Sequence, residues 1–195
     1  INSVHVGQLK RAYKLLKSAK KPLILAGGGV NIARANKQLQ EFAEKENVPV
    51  VTTIMGKGAI PTTHPLYIGN CGTHGKYAAN IAVTECDVLF SIGTRFNDRI
   101  TGDLNEFAPH AKIVHIDVDT ASISRNVVVD VPVVSDAKTA LEKLIEWAEP
   151  KKTEKWLAQI RQWDEENPLE MCRDRGLSPQ MIMEHINKEY PHSIY

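Results

Sequence analysis

The sequence has few cysteines, little net charge and no long hydrophobic run. Its three cysteines, Cys71, Cys86 and Cys172, are odd in number and include no C-x-x-C pair, which argues against a disulfide framework and a structural zinc site and favours a reducing compartment. Lys and Arg number 24 against 23 Asp and Glu, so the net charge of +1 offers no basic excess for a nucleic-acid partner. The longest apolar run, residues 22–30, is interrupted by three glycines and is far shorter than a membrane span of about 20 residues.

The usual signatures of catalysis are also missing. The seven histidines have no metal-ligand spacing, no G-x-S-x-G motif occurs, and no pair of carboxylates suggests acid–base work. Neither Cys71 nor Cys86 has an obvious activating base, so both are interpreted as structural. The sequence therefore predicts a ligand-binding domain with no catalytic residue and no metal ligand of its own.

Short aliphatic runs alternate with helical patterns along most of the chain. Five runs, at residues 23–26, 48–51, 87–92, 113–118 and 126–134, are predicted strands, and amphipathic helices lie between or beside them. One helix is predicted to start at residue 31 or 33 and to end near residue 47, and the last helix is predicted to start at the cap Ser178. Residues 56–67 are predicted loop and residues 69–75 a glycine-rich turn. This alternation predicts an α/β fold, with a doubly wound, mostly parallel sheet flanked by helices. Ligands of such sheets bind outside the carboxyl ends of the strands.

The same pattern divides the chain into three parts. Residues 1–21 are predicted to be a linker helix that leads into the domain, and residues 22–150 form the α/β domain itself. Residues 151–195 are predicted to be a helical connection towards a further domain, with Trp156, Ile160 and Trp163 as a packing stripe. No signal peptide is visible, the first residue is Ile1, and the chain is expected to be a domain cut from a longer protein.

Glycine-rich turns follow the predicted strands. Gly27, Gly28 and Gly29 stand at a strand-to-helix junction where backbone N–H groups can meet an anion, although a plain tight turn explains them equally well. They do not complete a G-x-G-x-x-G motif because Ile32 replaces its last glycine. Residues 48–53 also lack the acidic partner of an NAD ribose, which weakens a nicotinamide-binding assignment.

Later turns carry the polar groups. Residues 72–75 could meet a phosphate or ribityl chain, or simply cap a helix. Arg95 and Arg99 follow a buried strand and suit a pyrophosphate, with a salt-bridged loop through Asp98 as the alternative. Asp117 and Asp136 end two further strands, where each could accept a ribose hydroxyl or cap a helix. These turns point to a large, two-ended, phosphate-bearing ligand.

Several motifs occur in one order along residues 8–148. They are PLILAGGGV (22–30), VTTIMGKG (51–58), HP (64–65), GTHG (72–75), SIGTRFNDRITG (91–102) and HID (115–117). Together they resemble the central domain of the acetolactate synthase large subunit family, whose members are thiamine-diphosphate enzymes of three domains. LSPQMI (177–182) resembles the start of that family's C-terminal domain. The chain departs from the family pattern at Thr73, Asn97 and Ser135.

The resemblance implies a six-stranded Rossmann-like sheet that holds FAD, which has no net redox role in the condensation of two pyruvates or of pyruvate with 2-oxobutyrate. Thiamine diphosphate and Mg²⁺ would be bound by the other domains, so this chain alone is expected to be inactive. The FAD contacts implied by position are Gly27, Gly28, Gly29, Thr53, Ile54, Gly72, Thr73, His74, Gly93, Thr94, Arg95, Asn97, Arg99, Ile100, Asp117, Val118, Asp136 and Ala137.

The expected partners are the rest of the polypeptide, further copies of the full-length enzyme and a regulatory small subunit, in the cytoplasm or in a plastid or mitochondrion. No nucleic acid or membrane partner is expected. Alternatives remain open: the central domain of a pyruvate oxidase or glyoxylate carboligase, an NAD-binding oxidoreductase or deacylase domain, and a scaffold that binds no nucleotide.

Overall fold

A single parallel sheet of six strands forms the centre of the molecule. The computed structural model describes residues 3–170, 173–174 and 176–191, so Cys172 lies outside the described residues. The strands lie in the order β3-β2-β1-β4-β5-β6, and every neighbouring pair is parallel. Their bounds are β1 Pro22–Ala26, β2 Val50–Thr52, β3 Tyr67–Asn70, β4 Val88–Ile92, β5 Lys112–Asp117 and β6 Val131–Val134.

The strand order creates a crevice between β1 and β4. The chain runs outward from β1 through β2 to β3, then returns to the centre and continues from β4 through β5 to β6. The connections that follow β1 and β4 therefore lead to opposite halves of the sheet, and ligands of such sheets bind at the carboxyl ends of the strands where the order reverses. Every residue of β1 and of β4 is buried, which explains their continuous aliphatic sequence.

Helices cover both faces of the sheet. Buried side chains of α1, α3 and α6 pack on one face, and those of α4 and α7 pack on the other. The helices are α1 Val6–Ser18, α2 Gly28–Ile32, α3 Asn36–Glu46, α4 Tyr77–Glu85, α5 Asp98–Thr101, α6 Ala137–Trp147, α7 Glu154–Glu166 and α8 Pro179–Glu189. The predicted doubly wound α/β fold is confirmed.

Three local predictions from the pattern were wrong. The edge strand β3 was interpreted as loop and turn because it has no run of aliphatic residues. The strand predicted over residues 126–134 is formed only at Val131–Val134, since the valines before it lie in a loop. The single helix predicted after the first glycine turn is divided into α2 and α3, because Arg34 between them adopts a left-handed conformation with φ of 52°.

A buried carboxylate joins the first helix to the residues after α6. Glu46, at the end of α3, has no exposed surface, and its Oε1 accepts hydrogen bonds from Tyr13 Oη (2.8 Å) and from the backbone N–H of Glu149 (3.0 Å). Lys17 Nζ lies 3.7 Å from Oε2. Burial and the neighbouring Glu46 carboxylate raise the pKa of Tyr13, so its hydroxyl remains a donor. This network ties α1 and residue 149 to the domain.

The two helices after residue 150 differ in how far their side chains are buried. On α7, Trp156 and Ile160 are buried in the sheet's second core, and Trp156 Nε1 donates to the Pro22 carbonyl oxygen over 2.9 Å. The predicted packing stripe is therefore confirmed. Helix α8 has no buried residue, although Ser178 caps it through Met181 N–H as predicted. The boundaries of the three predicted parts stay predictions.

No helix among the described residues combines the length and the apolarity that a bilayer crossing requires.

The turns after β1 and β4 contact each other through bare backbone. Gly27 N–H donates to Ile92 O over 2.9 Å, and Gly29 N–H donates to Gly93 O over 3.0 Å. A Cβ at Gly27 would lie 2.1 Å from Gly93 O, and one at Gly29 would lie 2.6 Å from Gly93 Cα. Gly93 itself has a φ of 64°. Glycine is required here because no side chain fits between the turns.

We predict that Gly27→Ala destabilises the fold by at least about 2 kcal/mol, because the new Cβ forces the two turns apart. Urea unfolding followed by circular dichroism measures the change. Gly28→Ala is the matched control: its nearest neighbours would be Met55 Cβ at 3.1 Å and Met55 O at 3.4 Å, so it should cost less than about 1 kcal/mol. Equal unfolding midpoints for the two variants would contradict the packing argument.

Candidate functional site

A large recess lies at the carboxyl ends of the strands, where the crevice was expected. It has a volume of about 550 Å³, which falls within the range of about 300–1,000 Å³ typical of small-molecule sites. Turns that follow β1, β2, β4, β5 and β6 all contribute to it. Most of the predicted cofactor residues line it: Gly28, Gly29, Thr53, Ile54, Gly93, Thr94, Arg95, Asn97, Arg99, Ile100, Asp117, Val118, Asp136 and Ala137. We call this recess the main cavity.

The first glycine turn contributes two of its three glycines. Gly28 and Gly29 line the main cavity, whereas Gly27 is buried behind them against Gly93. The backbone at Gly28 is therefore the part of the turn that a ligand can approach closely. Gly27 serves the packing of the turns, which is the structural alternative weighed from the sequence.

The loop after β4 presents cationic side chains at the cavity. Thr94 is buried, while Arg95, Asn97 and Arg99 are exposed and line the cavity wall. Arg99 Nε lies 3.9 Å from Asp98 Oδ2, and the two side chains are 78% and 87% exposed, so this ion pair contributes little. The Arg95 guanidinium lies near enough to the Asp119 carboxylate to attract it, but within the described residues the two form no ion pair. Both guanidinium groups can therefore turn to an anionic ligand.

Asp117 is the acidic group with spare acceptor capacity. It closes β5 and is 9% exposed, and its Oδ1 accepts a hydrogen bond from Asp119 N–H over 2.8 Å. Its Oδ2 accepts no hydrogen bond from any residue that the structure describes, the nearest cationic candidate being His115 Nε2 at 3.8 Å. A hydroxyl donor of a ligand could bind this oxygen.

Two other predicted residues already have structural hydrogen bonds. Asp136 caps α6, its Oδ1 accepting from the N–H groups of Lys138 (2.9 Å) and Thr139 (3.2 Å). Thr53 Oγ1 accepts from Gly56 N–H over 3.0 Å and so caps the short 3₁₀ helix at Ile54–Gly56. The sequence left capping and ribose binding as alternatives for Asp136, and the structure shows the cap.

The second glycine turn lies beside the main cavity. Gly72 and Thr73 line a smaller recess of about 280 Å³, with Ile100 shared between the two recesses, and His74 lines neither of them. Thr73 N–H donates to Arg99 O over 2.9 Å, which joins this turn to the loop after β4. Asn80 holds the turn through both its amide atoms, at 2.7 Å from Gly72 N and 3.1 Å from Gly72 O.

Four exposed apolar side chains line the cavity, and two of them were missed from the sequence. Ile32, Met55 and Val118 are exposed at 87%, 73% and 53%, and Ile54 at 64%. Val118 and Ile54 were predicted, but Ile32 and Met55 were not, although both lie next to recognised motifs. Exposed aliphatic side chains at one cavity suit the flat, apolar part of a ligand.

Both described cysteines are far from nucleophilic. Burial raises the pKa of the Cys71 thiol to about 12 and raises that of Cys86 further. Cys86 Sγ donates to Val83 O over 3.2 Å. No group of three or more His, Cys, Asp or Glu side chains among the described residues is arranged to hold a metal ion.

Comparison with known proteins agrees with this architecture. Residues 9–144 match the family model described as thiamine pyrophosphate enzyme, central domain. The chain is 47% identical over 186 residues to a probable acetolactate synthase large subunit of Methanocaldococcus jannaschii, covering 93% of this chain and 32% of that protein. It is 55% identical over 141 residues to the protein of the same description from Methanococcus aeolicus, covering 72% and 24%.

A bacterial relative gives the same result. The acetolactate synthase isozyme 3 large subunit of Escherichia coli is 43% identical over 159 residues, covering 82% of this chain and 28% of that protein. The chain thus spans about a third or less of the length of the relatives described here.

We predict that Asp136→Ala lowers the free energy of unfolding by about 1 kcal/mol, because two N–H groups of α6 lose their cap. Asp136→Asn keeps a capping oxygen and should leave stability nearly unchanged. Thermal or urea unfolding of the two variants distinguishes the outcomes. Equal losses for both would mean that the negative charge, and not the cap, matters.

We also predict that Cys71 and Cys86 do not react with a thiol reagent at pH 8 in the folded chain. With a pKa of about 12, only roughly one Cys71 thiol in ten thousand is ionised at that pH. The test uses a Cys172→Ser variant, so that only the two described thiols are counted by a colorimetric disulfide reagent. Two thiols should react after unfolding in urea, and rapid reaction before it would contradict the burial argument.

Proposed function

The chain belongs to the family of thiamine pyrophosphate enzyme central domains, and from that premise we propose that it is the FAD-binding central domain of an acetolactate synthase large subunit. The observation that carries the proposal is the main cavity, which brings together bare glycine backbone, two free arginines, an acceptor carboxylate and an apolar rim. Each of these matches one part of a flavin dinucleotide.

The polar groups suit the pyrophosphate and the adenosine end. Arg95 and Arg99 offer planar guanidinium donors that can bind phosphate oxygens in pairs. Gly28 lets a phosphate approach the backbone without a side chain between them. Asp117 Oδ2 has the acceptor capacity that a ribose hydroxyl requires.

The apolar groups suit the flavin ring. Ile32, Ile54 and Met55 expose aliphatic surface at one side of the cavity. Gly72, Thr73 and His74, which the family resemblance assigns to the same cofactor, lie outside the main cavity and only the first two line its neighbour. Their assignment rests on resemblance alone.

NAD is the second candidate, because the strand order is that of dinucleotide-binding sheets. In those sheets an acidic residue at the end of the second strand binds the 2′-hydroxyl of the adenosine ribose of NAD. Here β2 ends at Thr52 and is followed by Thr53 and Ile54, so that position has no carboxylate. This difference favours FAD.

For the whole protein we propose condensation of two pyruvates, or of pyruvate with 2-oxobutyrate. Thiamine diphosphate supplies the carbanion chemistry in such enzymes, and we assign it, with Mg²⁺, to polypeptide outside this chain. The residues described here bind and orient FAD, so the chain by itself is not expected to turn over substrate. The names of the relatives specify a large subunit, which supports a complex with a small subunit. Assembly with further copies of the enzyme, in the cytoplasm or an organelle, is part of the same proposal.

We predict saturable binding of FAD to this chain, followed by flavin fluorescence, and a Kd that rises roughly tenfold in Arg95→Ala as a charged pair to phosphate is lost. Arg11→Ala is the matched control, because Arg11 lies on an exposed face of α1, where it donates a hydrogen bond to Gln8 Oε1 over 3.2 Å. NAD titrated in parallel tests the second candidate.

Each outcome has a distinct meaning. Tight NAD binding without FAD binding would overturn the flavin assignment, and equal effects of the two arginine variants would remove Arg95 from the site. If neither nucleotide binds, the proposal fails for this chain and a scaffold role gains support.

A further inference from the structure

We propose that His115 is a positioning residue that holds the loop after β4, residues 93–97, in the conformation that lines the main cavity. This inference rests on the proposed function, since it is there that the loop is assigned to the cofactor. His115 lines neither recess.

The first contact is a buried hydrogen bond. His115 lies on β5 with no exposed surface, and its Nε2 is 2.7 Å from the backbone oxygen of Thr94. A carbonyl oxygen only accepts, so Nε2 must carry the proton and donate it. His115 therefore binds the loop at Thr94, the residue before Arg95.

The other ring nitrogen of His115 makes no hydrogen bond within the described structure. Its Nδ1 is buried and has no hydrogen-bond partner among the described residues. A buried, half-satisfied imidazole is less favourable than a phenyl or aliphatic side chain of similar size. The hydrogen bond to Thr94 is the short polar contact of His115 that an apolar replacement could not make.

The second contact is with a strained residue of the same loop. Phe96 has a φ of 48°, a left-handed conformation that is unfavourable for a bulky side chain, and its ring is only 2% exposed. That ring packs edge-on against His115, with centroids 4.9 Å apart and planes at 76°, and against Phe107 at 5.8 Å. Such a conformation persists only where the surroundings determine it.

The two contacts flank the residue that carries the proposed phosphate interaction. Thr94 is fixed through its carbonyl and Phe96 through its ring, so the backbone of Arg95 between them is held while its side chain stays exposed at the cavity. Asn126 Nδ2 supports the outer side, at 3.3 Å from Arg95 O and 3.1 Å from Phe96 O.

His115 also adjoins the acidic side of the cavity. Asp117 is two residues farther along β5, on the same face of the strand, with Oδ2 3.8 Å from Nε2. The neighbours of His115 in register are Ser91 on β4 and Pro132 on β6. The buried His115 side chain thus lies between the loop that carries Arg95 and the carboxylate of Asp117.

The test compares His115→Phe with His115→Gln in the 195-residue chain. Phenylalanine keeps a ring against Phe96 but has no donor, whereas the glutamine amide places an N–H near the position of Nε2. We expect the Kd for FAD to rise about tenfold in His115→Phe and to return to within about threefold of the parent in His115→Gln. Rescue by glutamine is the result that a purely packing role would not give.

A second measurement needs no cofactor. Hydrogen exchange of the backbone amides of residues 95–97 should accelerate about tenfold in His115→Phe and recover in His115→Gln. His64→Phe is the matched control: His64 also makes a short contact through Nε2, 2.9 Å from Glu44 Oε1, but lies away from both recesses. It should change neither the FAD affinity nor the exchange of the loop.

These outcomes distinguish a failure of the inference about His115 from a failure of the proposed function. If the parent chain does not bind FAD, the proposed function fails, while the exchange measurement still decides whether His115 positions the loop. Parent-like exchange and affinity in His115→Phe, or a glutamine variant no better than phenylalanine, would overturn the inference. If His115→Phe does not fold, ¹⁵N spectra of the parent decide it: a proton on Nε2 supports the hydrogen bond, and a proton on Nδ1 alone overturns it.

Discussion

The direct backbone contact between the turns after β1 and β4 is the constraint on which the rest of the site depends. Gly29 N–H reaches Gly93 O over 3.0 Å, and a single methyl group at Gly27 would collide with the same oxygen. Because the turns are bare, they can meet at the point where the strand order reverses and still leave a recess above them. The loop that carries Arg95 starts from this contact, so its position follows from glycine packing before any ligand is considered.

The polar groups around the main cavity divide into those already used by the fold and those with capacity left. The carboxylate of Asp136 and the hydroxyl of Thr53 satisfy backbone N–H groups at helix starts. Arg95 has a free guanidinium group, and Asp117 keeps one oxygen without a donor among the described residues. The proposal of a flavin dinucleotide rests on the second group, because a ligand bound by the first would have to share hydrogen bonds that the helices need.

Buried polar side chains serve a similar purpose on the two faces of the sheet. Glu46 joins α1 and residue 149 to the end of α3, and His115 joins β5 to the loop beyond β4. In each case a side chain with no exposed surface adds a hydrogen bond to a segment that also packs on the hydrophobic core. Apolar contacts have no preferred direction and tolerate some repacking. A buried hydrogen bond is directional and fixes one arrangement.

The sequence by itself determined the class of the fold and the location of the site. Aliphatic runs such as residues 23–26 and 87–92 predict buried parallel strands, and the glycines after them predict turns at one edge of the sheet. It failed at β3, which has too few aliphatic residues to be recognised, and at Arg34, whose left-handed backbone divides a helix that the periodicity joined. Local pattern carries no information about such tertiary accommodation.

Only the tertiary structure decided the role of each residue around the main cavity. Asp117 and Asp136 both end strands and look alike in the sequence, but one caps a helix and the other keeps an oxygen free. Gly27 and Gly28 are neighbours, but one packs against Gly93 and the other lines the cavity. The role of His115 depends on Thr94, which is 21 residues away. These distinctions arise because hydrogen bonds and close contacts are set by distances in space, which residue type and spacing along the chain do not specify.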